Sequence, residues 1–238
     1  MEQNTHDVII TVIASRGKIY DQFIEEFWVK LIRFVKNIYP SVHIIIIFGK
    51  DETTTGLTLN DENIFYGTKP DSIIPGIYDK TLECFEHIEA SYHYKYIFRA
   101  NLSTFLIIDE LLKCSQSLPE SNVYAGVIGK IRKGFKITFC SGAGFWMSPD
   151  IVKQLICNQN NIDRNKYNDD VVISIVLKDV PRTNMPRFNL NKNIKDKSIC
   201  LRDIIQKGMY QIRIKNSKNR QLDIDYVKYF TNTLYSTN

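Results

Sequence analysis

Residues 8–48 read VIITVIASRGKIYDQFIEEFWVKLIRFVKNIYPSVHIIIIF. The opening run, through Ala14, is almost continuously apolar and β-branched, which is the pattern of a strand buried on both faces. Ser15-Arg16-Gly17-Lys18 interrupts it as a polar loop. Tyr20, Phe23, Phe27, Leu31 and Phe34 then recur at three- and four-residue steps, predicting an amphipathic helix that closes near Pro40. Residues 43–48 form a second buried strand. Two parallel strands need a crossover between them, and a strand, a helix and a strand in so short a span supply one.

The same alternation continues outward. Residues 63–66 predict a short strand, and Pro75 opens a helix to about residue 91. Residues 94–98 read as the next strand, ending in a polar hinge, Arg99-Ala100-Asn101-Leu102-Ser103. Asn101 or Ser103 can cap a helix carrying Phe105, Ile108, Leu111 and Leu112. Strands follow over 123–128 and 135–139, then a turn-rich junction, Cys140-Ser141-Gly142-Ala143-Gly144. Ser148-Pro149-Asp150 starts a helix, 158–168 is a polar loop, and Asp169-Asp170 open an apolar helix over 171–177. An edge strand over 186–190, a strand over 210–214 and a helix over 225–234 close the chain. The predicted class is α/β, a Rossmann-like, mostly parallel central sheet with helices on both faces. Ligands in such sheets sit at the carboxyl ends of the strands, which directs attention to residues 15–18, 49–52 and 99–103.

Composition narrows the function classes. The chain has 238 residues, is 44% hydrophobic and 24% charged, and carries a net +5, all ordinary for a globular protein. A single domain over 1–238 is expected at this length. No stretch approaches a membrane span and the first residues lack a signal peptide's pattern, so a soluble cytoplasmic protein is expected. Five cysteines without C-x-x-C spacing read as reduced, buried packing residues, and four histidines (His6, His43, His87, His93) are scattered. Residues 181–220 hold eleven basic and two acidic residues, a local +9 that suits a surface meeting anions.

Familiar catalytic motifs fail. Gly142-Ala143-Gly144 would need a glycine at Met147 to bind a dinucleotide. Residues 126–130 have the wrong glycine spacing for a P-loop, and Ile131 stands where Ser or Thr is needed. There is no H-E-x-x-H, and Ser141 lacks the glycine that precedes the serine of a nucleophile elbow.

Three pieces remain: Arg99-Ala100-Asn101-Leu102-Ser103 after a strand, the junction at 140–148 leading into a helix, and Asp169-Asp170-Val171. Their order and separation over residues 8–177 resemble GT-A-fold glycosyltransferases, especially the galactosyltransferase/Fringe-like group and small glycosyltransferase-like domains of large DNA viruses and bacteria. The resemblance implies a nucleotide-sugar-binding half over 1–130 and an acceptor and catalytic half over 131–238. It implies transfer from a nucleotide-diphosphate sugar, a UDP-sugar for preference, to a glycan or protein-linked acceptor with inversion. Asp170 would be the base and Asp169 its support. Ser15, Arg16, Arg99, Asn101, Ser103, Arg213 and Lys215 would bind the donor, and Gly142, Gly144 and Trp146 would lie on the acceptor side. Host cytoplasm would be the setting if the source is viral.

The sequence departs from the family at the D-x-D metal motif, where it has Arg99-Ala100-Asn101. Two hard anionic oxygens hold a divalent cation, and an Arg with an Asn does not replace them. No metal ligand is therefore assigned: either a metal is absent, or manganese or magnesium is held weakly by Asn101 and waters. Asp169-Asp170 before an apolar helix is also the pattern of plain helix capping. Two alternatives stay open: an inactive nucleotide- or glycan-binding domain of the same fold, and a module that binds nucleic acid through the basic block. No nucleic-acid-binding motif accompanies that block, so the first reading expects no nucleic-acid partner.

Overall fold

Strand β1 (Asn4–Ile13) sends alternate side chains to opposite faces, and both faces are covered. Val8, Ile10 and Val12 enter one apolar cluster, and Ile9 and Ile13 enter a second. The computed structural model describes residues 4–133, 135–159, 162–190, 196–216 and 218–236. The first face is covered by α1 (Lys18–Phe23), a π-helical turn (Ile24–Trp28) and α2 (Val29–Ile38), with α8 (Arg220–Leu234) alongside. The second is covered by α3 (Gly76–Ser91), α5 (Pro149–Asn158) and α6 (Asp169–Val176). Among the described residues no helix is long and apolar enough to cross a membrane.

Parallel strands β2 (Val42–Phe48) and β4 (Tyr92–Asn101) flank β1, and β3 (Ile64–Tyr66) extends the sheet beyond β2. On the far side of β4 come β7 (Phe135–Met147), β6 (Tyr124–Lys133) and β8 (Thr183–Asn184), giving the order β3-β2-β1-β4-β7-β6-β8. Within this sheet β7 alone runs against the others. The expected mostly parallel sheet with helices on both faces is what forms. A second sheet, β5 (Thr104–Leu106), β10 (Gln211–Ile214) and β9 (Phe188–Leu190) in the order β5-β10-β9, packs into the first apolar cluster. Helices α4 (Ile108–Gln116) and α7 (Lys197–Gln206) and a 3-10 turn (Asp61–Asn63) complete the described elements.

The structure corrects the local reading in five places. Arg99, Ala100 and Asn101 are not a hinge but the end of β4, kept extended by pairing with β1 as far as Asn101 and with β7 as far as Ala100. Neither Asn101 nor Ser103 caps a helix, because β5 intervenes; α4 starts after Ile107 with no side-chain cap. Residues 140–144 are not a turn but the middle of β7. Helix α7, inside the basic block, falls where no element was expected. Cys157 is exposed, whereas Cys84, Cys140 and Cys200 are buried as expected.

The third correction positions the site. Between the pairs Gly126↔Phe145 and Ile128↔Cys140 the β6–β7 register jumps, so residues 141–144 bulge away from β6. That frees the N–H and C=O of Gly142 from the ladder.

Candidate functional site at the carboxyl edge of the sheet

The freed peptide groups meet charged side chains. The Gly142 N–H donates to Oδ2 of Asp170 at 2.8 Å, and its carbonyl accepts from Nη1 of Arg99. Nη2 of Arg99 donates to Oδ2 of Asp169, the first residue of α6. Arg99 is 2% exposed and lies 5.6 Å from the centre of the Phe145 ring. A Cβ on residue 142 would come within 2.5 Å of Nη1 of Arg99 and 3.3 Å of Oδ2 of Asp170, so glycine permits this close approach. Asp170 forms no ion pair among the described residues. Burial, then the neighbouring charge of Asp169, pushes its proton affinity above the usual carboxylate range, against the pull of the Gly142 N–H and Arg99.

Asn101 completes this cluster without joining the charges. Its Oδ1 accepts from Oγ of Ser103 at 3.0 Å and Oγ1 of Thr104 at 3.1 Å. Its Nδ2 reaches the Gly142 carbonyl only at 3.5 Å. The Ser103 carbonyl accepts from the Ile214 N–H at 2.8 Å, which ties the second sheet to the end of β4.

The second sheet brings cations. On β10, Ile212 and Ile214 are buried, which turns Arg213 to the other side, and Lys215 follows as an exposed residue. Arg187, Asn189, Arg213 and Lys215 line a cleft of about 280 Å³. Arg187 donates from Nη1 to Oγ of Ser141 at 2.9 Å and from Nε to Oδ1 of Asn189 at 3.0 Å, which sets it beside the bulge that holds Asp170. Burial, then the charge of Arg213, lowers Arg187 to about 10. Burial also lowers Arg213, offset by the charge of Asp170 and reinforced by that of Arg220. Among the described residues neither Arg187 nor Arg213 nor Lys215 has a carboxylate partner, whereas nearby Arg220 pairs with Asp223 at 2.5 Å.

Ser15 and Arg16 follow β1 at the same edge, beside Asn101, which pairs with Ile13. The Arg16 N–H donates to Oε1 of Glu52 at 2.5 Å, and the Gly49 N–H to Oε2 at 3.2 Å. The Arg16 guanidinium is held by Asp21 at 2.8 Å. Buried Lys80 closes the same edge, bonding the Ala14 carbonyl at 2.6 Å and Asp71 at 2.5 Å.

Asp169, Asp170, Arg99, Asn101, Ser103, Gly142, Arg213 and Lys215 therefore share one edge. Two acceptor-side assignments are corrected. Trp146 is fully buried, donates to the Tyr210 hydroxyl at 3.2 Å and packs 4.8 Å from the Phe98 ring, so it is core. Gly144 lies against Gln211 and Phe98 in the interior, where a side chain would collide with both. Arg99 is sealed inside rather than open to a diphosphate. The sequence reading marks Glu52 only as the end of the loop 49–52 and does not single out Arg187. The signal for Arg187 was the alternation Arg187-Phe188-Asn189-Leu190, which matches that of β10.

The residues at this edge do not fit the divalent cation of the D-x-D family. Asp169 and the Gly142 carbonyl already face a guanidinium, and Oδ1 of Asn101 is a neutral amide oxygen that accepts from Ser103 and shares the single Thr104 hydroxyl proton with the Ala143 carbonyl. Among the described residues there is no group of three His, Cys, Asp or Glu side chains able to hold a metal ion.

The fold is GT-A-like. It is similar to that of the glycosyltransferase GlyE of Streptococcus pneumoniae TIGR4, with a TM-score of 0.50 and 12% identity over 99% of this chain. The chain spans 66% of the length of GlyE. It is also similar to the galactosyltransferase LgtC, solved with donor and acceptor sugar analogues, with a TM-score of 0.50 and 6% identity over 98% of this chain and 97% of that one. At these identities the likeness is one of fold. No protein-family model and no curated protein matches the sequence.

Proposed function

We propose that this chain transfers a sugar from a nucleotide-diphosphate sugar, with UDP-sugars the first to try, to a hydroxyl of a glycan or protein-linked acceptor. The observation that carries the reading is the meeting, at one sheet edge, of Asp170, a half-buried carboxylate outside the Arg99–Asp169 pair, and a cleft of cations with no acidic partner among the described residues. Asp170 takes the acceptor's hydroxyl proton. The acceptor oxygen bonds to the anomeric carbon as the bond from that carbon to the diphosphate oxygen breaks. The electron pair leaves with the nucleoside diphosphate, whose charge Arg213, Arg187 and Lys215 offset. Attack opposite the leaving group inverts the anomeric centre. Ser15, Arg16, Asn101 and Ser103 flank the donor, and Gly142 the acceptor.

Substitution Asp170→Asn keeps the shape of the side chain and removes the base. It is expected to lower transfer by about 10²–10⁴-fold while leaving UDP binding intact, as read by product formation and calorimetry. Turnover close to that of the unsubstituted protein would defeat the assignment. A second reading, a domain that binds the nucleotide without turning it over, is favoured by the sealing of Arg99 against Asp169; it predicts UDP binding and no transfer by the unsubstituted protein. Half-burial of Arg187 and Arg213 in a cleft suits a compact anion better than the extended backbone of a nucleic acid.

A further inference from the structure

We propose that Arg99 is a positioning residue that gives two adjacent carboxylates different roles. It binds Asp169 and the Gly142 carbonyl, and so leaves Asp170 as the carboxylate that exchanges a proton. The inference rests on the proposed transfer reaction for its purpose, and on geometry for its substance.

Three observations carry it. First, the guanidinium is buried and committed, with one amino group on Asp169 and the other on Gly142, while Nε has no partner among the described residues. A buried cation of this kind is a fixed part of the site, since releasing it would leave two charges unpaired in the interior. Second, residue 142 links Arg99 to Asp170, its C=O facing Arg99 and its N–H donating to Asp170, both freed by the same bulge. Arg99 thus fixes the orientation of the donor that holds Asp170 without touching Asp170 itself. Third, the two aspartates at the start of α6 are treated differently, Asp169 being ion-paired and Asp170 not, among the described residues. In a site where the residues do not fit a divalent ion, Arg99 is the built-in cation.

The charged and titratable groups facing Asp170 are Asp169 from α6, Arg99 from β4, Cys140 from β7 and Arg213 from β10. Burial pushes the Cys140 thiol up to about 12, so it stays neutral across the working range. Asp169 and Arg99 are left as the neighbours whose removal moves Asp170 most, in opposite directions.

The test is a carboxyl carbon NMR titration of the full chain, with ¹³C-labelled aspartate and Asp170 assigned by its disappearance in Asp170→Asn. Asp170 in the unsubstituted protein is expected to titrate above the usual carboxylate range. Asp169→Asn, which removes the neighbouring negative charge, should lower its midpoint by about one pH unit or more, and Arg99→Gln should raise it by a similar amount. Arg99→Lys keeps the charge and should hold the midpoint below that of Arg99→Gln. Should Arg99→Gln fail to fold, Asp169→Asn decides. An ordinary Asp170 midpoint, or one unmoved by Arg99→Gln (by Asp169→Asn where Arg99→Gln does not fold), overturns the inference. Where transfer is measurable, the acid limb of kcat against pH should follow the NMR midpoint. Moving midpoints with no sugar nucleotide turned over would defeat the transfer reading and leave the distinct roles of the two carboxylates standing; transfer with fixed midpoints would do the reverse.

Discussion

The two ends of β1, β2 and β4 bury polar groups in opposite ways. At the amino end, His6 and His43 stack with ring centroids 5.2 Å apart, and Tyr92 lies 5.3 Å from His43. Burial pushes His43 down to about 4, so near neutral pH this end carries uncharged rings, beside a cavity of about 180 Å³. At the carboxyl end, Arg99, Asp169 and Asp170 crowd around one freed peptide, and three further cations stand nearby without acidic partners among the described residues. One end meets burial by discarding charge, and the other meets it by pairing part of its charge and leaving a remainder. Burial alone therefore marks no candidate site. The remainder does, because unneutralised groups are what a ligand or a proton can answer.

The largest effect that would break this contrast is chemical. Asp170→Asn should lower the transfer rate by about 10²–10⁴-fold, the usual worth of a general base, with UDP affinity changed less than about threefold in a parallel calorimetric titration. Next comes stability at the other end. A histidine whose folded value lies below its ordinary one is protonated more readily in the unfolded chain, so stability is full above about pH 6.5 and is lost as pH falls through the window to about 4. The loss attributable to His43 should reach about 3 kcal/mol at the bottom of that window. Denaturant melts of the unsubstituted protein and His43→Gln should converge as the pH is lowered, and parallel curves would contradict the stacked, neutral pair.

Arg213→Ala follows, expected to weaken UDP binding about tenfold or more, as loss of a charge-assisted contact does. The smallest effect is expected from Arg16→Ala, whose guanidinium is already engaged by Asp21. A change of less than about threefold there, against the Arg213 loss, would sharpen the claim that unpaired cations are the ones that bind.

The sheet is legible in the sequence because its strands are buried on both faces, and runs as short and β-branched as residues 8–14 and 43–48 fit little else. Asp169-Asp170 at a helix start is legible for the same local reason. What stays hidden depends on partners distant in sequence. Asn101 is polar and still extended because β1 holds it, and Gly142 looks like a turn until the bulge in β7 gives both its peptide groups a charged partner. Arg99 resembles a phosphate ligand because a cation in a candidate donor loop usually points outward; only the approach of α6 shows that it points in. Arg187 is lost among the basic residues of 181–220, although its alternation with Phe188 and Leu190 is on view.

The most direct measurement is a calorimetric titration of the full chain with UDP in EDTA, repeated with Arg213→Ala. Saturable binding by the unsubstituted protein without a divalent ion, weakened in the variant, is the predicted result. Failure of UDP, GDP, CDP and dTDP alike to bind would contradict a cleft that neutralises a nucleoside diphosphate with the protein's own cations.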